Sequence, residues 1–127
     1  MEGVLVEMMA NGGHEVIVGV RRDPQFGPLI MFGMGGVYVE VLTDLAFRIA
    51  PVNRTDALDM IHETKAGQLL SGLRGQAAGN VEAVADCIVS LSRLALDFPQ
   101  IREVEINPLL VSAVEAVALD GRIVLER

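Results

Sequence analysis

Asn107 and Asp120, in Glu105-Ile106-Asn107-Pro108-Leu109 and Ala118-Leu119-Asp120-Gly121-Arg122, are the residues of this chain whose types and setting best fit a chemical task. Both stand at the ends of short, otherwise apolar strands, where a polar oxygen has no packing role. An amide oxygen beside a carboxylate suits a hard cation such as Mg²⁺, which takes oxygen ligands and keeps several waters. The pair reads as a magnesium nucleotide site. Asp120-Gly121 is also a strong hairpin-turn signal. The two readings are compatible, because a turn carboxylate often faces a ligand.

The elements that must position these oxygens follow from periodicity. Val4-Leu5-Val6 and Val16 to Val20 are β-branched runs separated by Asn11-Gly12-Gly13, which predicts a hairpin. A turn from Asp23-Pro24 to Gly27-Pro28 leads into Leu29 to Phe32. Strands are then expected at Val37 to Val41 and Ala46 to Ala50. Gly33, Gly35 and Gly36 resemble a phosphate loop, but glycines between strands are more often a bulge or a tight connection. The period then changes. Thr55 is the expected N-cap of a helical region carrying Leu58, Ile61, Lys65 and Leu69, with Gly67 dividing it in two. Asn80 caps a longer helix with Val84, Cys87, Ile88, Leu91, Leu94, Ala95 and Phe98 on one stripe, ended by Pro99. Strands return at Val104 to Ile106, Leu109 to Val111, Val114 to Leu119 and Arg122 to Leu125. Strands, helices and strands in that order predict an α+β fold, a largely antiparallel sheet with helices on one face.

Composition narrows the possibilities. At 127 residues and 51% hydrophobic, the chain suits one domain with a substantial core, taken as residues 1–127. Seventeen acidic against ten basic residues give a net charge of -7, which argues against nucleic acid as the main partner. Any phosphate must then be met locally, by metal, arginine or backbone N–H groups. The single Cys87 rules out an internal disulfide or a cysteine zinc site and suits a reducing cytoplasm. No apolar stretch has the length of a membrane span, and no targeting segment is expected. Cys87 reads as a small buried hydrophobe, His14 and His62 as exposed bystanders, and the methionines as core or pocket lining.

Several segments together resemble a known family. They are Val4 to Met9, Gly13 to Gly19, Phe26 to Gly36 and Glu105 to Leu109. In order and spacing they are similar to the ATP-grasp part of the NDP-forming acyl-CoA synthetases, which include acetate–CoA ligase (ADP-forming) and, more distantly, the β subunit of succinyl-CoA synthetase. The resemblance implies the C-terminal subdomain of an ATP-grasp fold that binds ATP or ADP with Mg²⁺. It places Glu7 beside the nucleotide, Met9 and Ala10 as backbone partners of the base, and Glu15 on the ribose. It makes Asn107 and Asp120 the magnesium ligands. Glu105 projects to the same strand face as Asn107, where it touches metal or faces the phosphohistidine that the family uses as a relay. Arg21 and Arg22 follow a strand directed at the site, and one of them is expected to hold phosphates by charge-assisted hydrogen bonds.

The implied reaction is phosphoryl transfer: acyl-CoA, ADP and phosphate give acid, CoA and ATP. Taken against the family, the sequence begins at the linking strand, so an N-terminal ATP-grasp half, CoA-binding domains and the relay histidine are expected on other domains or subunits. Little turnover is expected of the chain alone. Two other readings stand beside this one. The chain could be a non-catalytic regulatory module, as in ATP-grasp-like domains fused to protein acyltransferases. It could also be a self-association module, a possible homodimer held by apolar surface.

Overall fold

The computed structural model describes residues 13–35, 44–72 and 78–126. Among them the chain forms six strands and three helices: β1 (His14–Asp23), β2 (Gly27–Met34), β3 (Leu45–Ile49), α1 (Arg54–His62), α2 (Lys65–Leu70), α3 (Val81–Asp97), β4 (Ile101–Val111), β5 (Ala116–Ala118) and β6 (Gly121–Leu125). The strands make one antiparallel sheet in the order β3-β2-β1-β4-β5, with β6 also paired to β4. This is the expected α+β architecture. The expected strands at Val4 to Val6 and Val37 to Val41, the Asn11-Gly12 turn and Gly36 lie outside the described residues.

Alternation in β1 sorts the sheet into two faces. Val16, Val18 and Val20 point to the helices and pack with Ile30, Phe32, Met60, Ile88 and Val104 in the core. Glu15, Ile17, Gly19 and Arg21 point to the opposite face, which is open at Glu15 and Arg21 while Ile17 is fully buried. Among the described residues the helices pack on the first face. α3 does so with Val84, Ala85, Ile88, Leu91 and Ala95, all buried; of the expected stripe, Cys87 and Leu94 are half-buried and Phe98, past the helix end, is exposed.

Helix boundaries differ from expectation at two points. The cap of α1 is Asn53 rather than Thr55. Its side chain accepts from Asp56 N while Asp56 accepts from Asn53 N, a reciprocal capping box. The break between α1 and α2 falls at Glu63-Thr64, where the Thr64 hydroxyl caps α2 by accepting from Gly67 N at 2.9 Å. Gly67 lies inside α2, since a Cβ there would stand 1.7 Å from Ile61 O. Its role is close helix approach rather than helix breaking. The α3 cap at Asn80 is as expected, accepting from Ala83 N.

The C-terminal runs also resolve differently. Val104 to Ile106 and Leu109 to Val111 belong to one strand, β4, which pairs with β1 on one side and with β5 and β6 on the other. Its register with β1 shifts between Val16 and Val18. Val18 pairs with Ile106 and Val16 with Leu109, so Asn107 and Pro108 together oppose Ile17. This is a β-bulge with one extra residue on β4. A bulge is also where a strand can hold proline, whose nitrogen donates nothing to the ladder.

Candidate nucleotide and metal site

The bulge positions the first ligand. Ile106 and Leu109 both pair with core-facing valines, so the residues between them absorb the change of phase and Asn107 is turned to the open face. On the other edge of β4, Ile106 pairs with Gly121 and Leu109 with Ala118. That register sets Asp120 directly opposite Asn107. The link between β5 and β6 is fixed there by two backbone bonds, Asn107 N to Asp120 O at 3.2 Å and Leu119 N to Pro108 O at 3.0 Å. Asp120 is further set by its own turn, its Oδ1 accepting from Gly121 N at 2.8 Å.

Glu105, Asn107, Asp120, Gly121 and Arg122 line one hollow of about 210 Å³. Its donor set is an amide oxygen and two carboxylates. Among the described residues no group of three or more His, Cys, Asp or Glu side chains could hold a metal by themselves. The cluster therefore fits a cation that takes few protein ligands and completes its shell with water and phosphate oxygens, which is the habit of Mg²⁺.

Beside this hollow lies a larger one of about 460 Å³, and Glu105 borders both. Leu29, Met31, Leu45 and Phe47 form its apolar wall, and Arg21, Asp23 and Glu103 its polar rim. Gly19 pairs with Glu105 in the register. A Cβ on Gly19 would stand 2.8 Å from Val104 O and 3.5 Å from Met31 Cε, so glycine lets β1 and β4 approach closely beside Glu105. Arg21 reaches Glu103 at 3.7 Å, and Arg122 reaches the same carboxylate at 2.8 Å.

Of the site residues expected from sequence, the sheet brings Glu15, Arg21, Glu105, Asn107 and Asp120 onto one face. Along β1, Glu15 and Arg21 are six residues apart, about 20 Å at ~3.3 Å per residue. Asn107 stands beside Ile17 and Glu105 beside Gly19, between those two ends. Arg22 goes elsewhere. It points to the helix side, where its guanidinium donates to Ile101 O at 2.9 Å and Ala95 O at 2.8 Å. A cation at the C-terminal end of α3 meets carbonyls that lack helical partners. Of the two arginines, Arg21 is the one directed to the open face. Glu7, Met9 and Ala10 lie outside the described residues.

Sequence reasoning missed Arg122, Glu103 and Gly19. Arg122 had a signal, since it follows Asp120-Gly121 by one residue, and so did Gly19, a glycine inside a β-branched strand. Glu103 had none, because its place depends on the β1–β4 register. Cys87 lies on α3, where burial raises its thiol above the ordinary value. Desolvation there favours the protonated thiol over the thiolate that reacts.

An antiparallel sheet with helices on one face and an oxygen-rich hollow on the other is the arrangement of an ATP-grasp domain. The model of the ATP-grasp domain family matches residues 1–125, and the chain belongs to that family. Several of its relatives are named ADP-forming ligases. The chain is 52% identical over 125 residues to acetate–CoA ligase (ADP-forming) I of Archaeoglobus fulgidus, a match covering 98% of this chain and 18% of that protein. It is 50% identical to the β subunit of acetate–CoA ligase (ADP-forming) I of Pyrococcus furiosus, covering 97% of this chain and 53% of the subunit. A solved structure of the dinucleotide-forming acetyl-coenzyme A synthetase 1 of Ca. Korarchaeum cryptofilum superposes with a TM-score of 0.86 at 42% identity. That match covers 90% of this chain and 54% of the other. The structure is a complex with coenzyme A and Mg-AMPPCP in which a phosphohistidine segment points towards the nucleotide binding site. The chain thus spans about half the length of the β subunit that it matches.

Proposed function

We propose that residues 1–127 are the C-terminal subdomain of an ATP-grasp domain and supply the nucleotide- and Mg²⁺-binding portion of an ADP-forming acyl-CoA synthetase. The observation that carries this reading is the convergence of Glu105, Asn107, Asp120 and Arg122 on one open-face hollow, in a chain whose relatives are ADP-forming ligases. The Mg-AMPPCP bound by the Korarchaeum protein supports the choice of nucleotide and metal.

In this reading the Asn107 amide oxygen and the Asp120 carboxylate are the metal ligands. Mg²⁺ held by these two residues would supply charge neutralisation for phosphoryl transfer. Arg21 and Arg122 give charge-assisted hydrogen bonds to phosphate in exchange for their contacts with Glu103. Glu15, at the start of β1, accepts ribose hydroxyls. Glu7, Met9 and Ala10 are assigned to the base side from the family resemblance alone. Glu105, between the metal hollow and the larger one, faces the incoming phosphoryl carrier. Protein chemistry in such a transfer is mainly positioning and charge neutralisation.

The steps before transfer to ADP belong to other domains or subunits. Phosphate displaces CoA from acyl-CoA to give an acyl phosphate, whose phosphoryl group passes to a histidine and releases the acid. ADP then takes that group and becomes ATP. Calorimetric titration of ADP with and without Mg²⁺ into the intact chain, Asn107→Ala and Asp120→Ala tests the assignment. Metal-dependent binding that disappears in both variants supports it. Equal binding by all three proteins would sink it. If the 127 residues alone bind nothing, the same comparison is made in a chain extended toward the N-terminus.

A further inference from the structure

β6 is the last strand of the sheet, and among the described residues it pairs only with β4. Its outer edge therefore offers backbone N–H and C=O groups to a further strand. Its side chains are also unusual for a surface edge. On the helix side Ile123 and Leu125 are 59% and 57% exposed. With Leu94, Phe98, Gln100 and Ile101 they line an apolar hollow of about 420 Å³. On the open face Arg122 precedes Val124, and Glu126 follows it.

This pattern is complementary to itself. Two β6 strands joined edge to edge about a two-fold axis run antiparallel, and directly opposite residues share a face. That condition allows only registers centred on a residue. Centring on Arg122 opposes two arginines, and centring on Ile123 opposes Asp120 to Glu126. Centring on Val124 sets Arg122 of each copy against Glu126 of the other and Ile123 against Leu125. Only this last register pairs opposite charges at both ends and apolar residues between them on the helix side. Arg122 would then stand between its own Glu103, at 2.8 Å, and Glu126 of the second copy.

We propose that this chain self-associates through β6, as a two-fold dimer whose sheets join in the register centred on Val124. The apolar hollow at Leu94 and Phe98 is closed by the Ile123–Leu125 pairs of that junction. Opposite charges spaced four residues apart along the edge select a second copy of the same strand, where a run of one sign would repel it.

Sedimentation velocity and light scattering over a concentration series test this, with circular dichroism to establish folding of each variant. The intact chain is expected to dimerise. Glu126→Arg, which opposes arginine to Arg122 twice per dimer, should weaken dimerisation about tenfold. The double variant Arg122→Glu with Glu126→Arg should restore it. In a Cys87→Ser background, Val124→Cys should form an oxidised dimer and Gly121→Cys should not. A monomeric intact chain at the highest concentration overturns the proposal. So does a dimer indifferent to Glu126→Arg, or equal cross-linking at positions 121 and 124.

Discussion

Asn107 and Asp120 stand opposite each other across β4 and the β5–β6 link, with the Asn107 N–H donating to the Asp120 carbonyl at 3.2 Å. The backbone pairing thereby offers the two side chains to one side of the sheet. As ligands of the same ion they are expected to be strongly non-additive. Asn107→Ala and Asp120→Ala should each lower Mg²⁺-dependent ADP affinity about tenfold or more, and the double variant should add little. Titration of all four proteins measures the coupling.

Arg21 and Arg22 are neighbours with opposite expected phenotypes. Arg22→Ala removes charged hydrogen bonds to Ala95 O and Ile101 O and should destabilise by about 2 kcal/mol, leaving ADP affinity unchanged. Arg21→Ala should change stability by no more than about 0.5 kcal/mol and weaken ADP relative to adenosine. Thermal melts and competition binding separate the two effects.

Gly19→Ala should harm fold and site together. Its methyl group would press on Val104 O, part of the β1–β4 junction, at an expected cost of about 1–3 kcal/mol. Because Gly19 pairs with Glu105, which lines both hollows, displacing β4 there should lower nucleotide affinity even at temperatures where the variant is fully folded. Titration at low temperature reads this directly.

Acid should remove one identified contact between β3 and the end of α1. Arg48 donates to Glu63 at 2.7 Å, and that hydrogen bond holds the Glu63 carboxyl below its ordinary value. A carboxyl whose folded-state value is depressed contributes stability above the unfolded value and loses it as pH falls through the folded one. Both side chains are partly exposed, so the effect is under about 1 kcal/mol. Denaturant titrations between neutral pH and pH 3 should show a shallower decline for Glu63→Gln than for the intact chain.

The alternation of β1 and the stripe of α3 made the sheet and its helical cover legible in the sequence, and the polar oxygens of Asn107 and Asp120 stood out for lacking any packing role. The caps were legible only where one candidate stood alone. Asn80 was found, but Thr55 hid Asn53, whose capping box depends on Asp56. Gly67 looked like a breaker because glycine weakens helices, while its contact with Ile61 O is a packing relation with no local signature. Arg22 could not be told from Arg21 by composition. Strand alternation separates them, since Arg22 shares the parity of the core-facing Val16, Val18 and Val20. The joining of two short β4 runs through Pro108 was hidden, since proline ordinarily argues against a continuous inner strand.

The one extra residue between Ile106 and Leu109 makes the site a matter of parity. Along β4 the core requires Val104, Ile106, Leu109 and Val111 to look the same way, and no strict two-residue count meets that demand. Deleting Pro108 would restore an even count with β1, but it would carry the Asn107–Asp120 alignment out of step with β5. Inserting a residue there would separate the two oxygens by another route. Length variation among relatives of this chain is therefore expected to avoid these four positions, even though they lie beside an exposed hollow where insertions are usually tolerated.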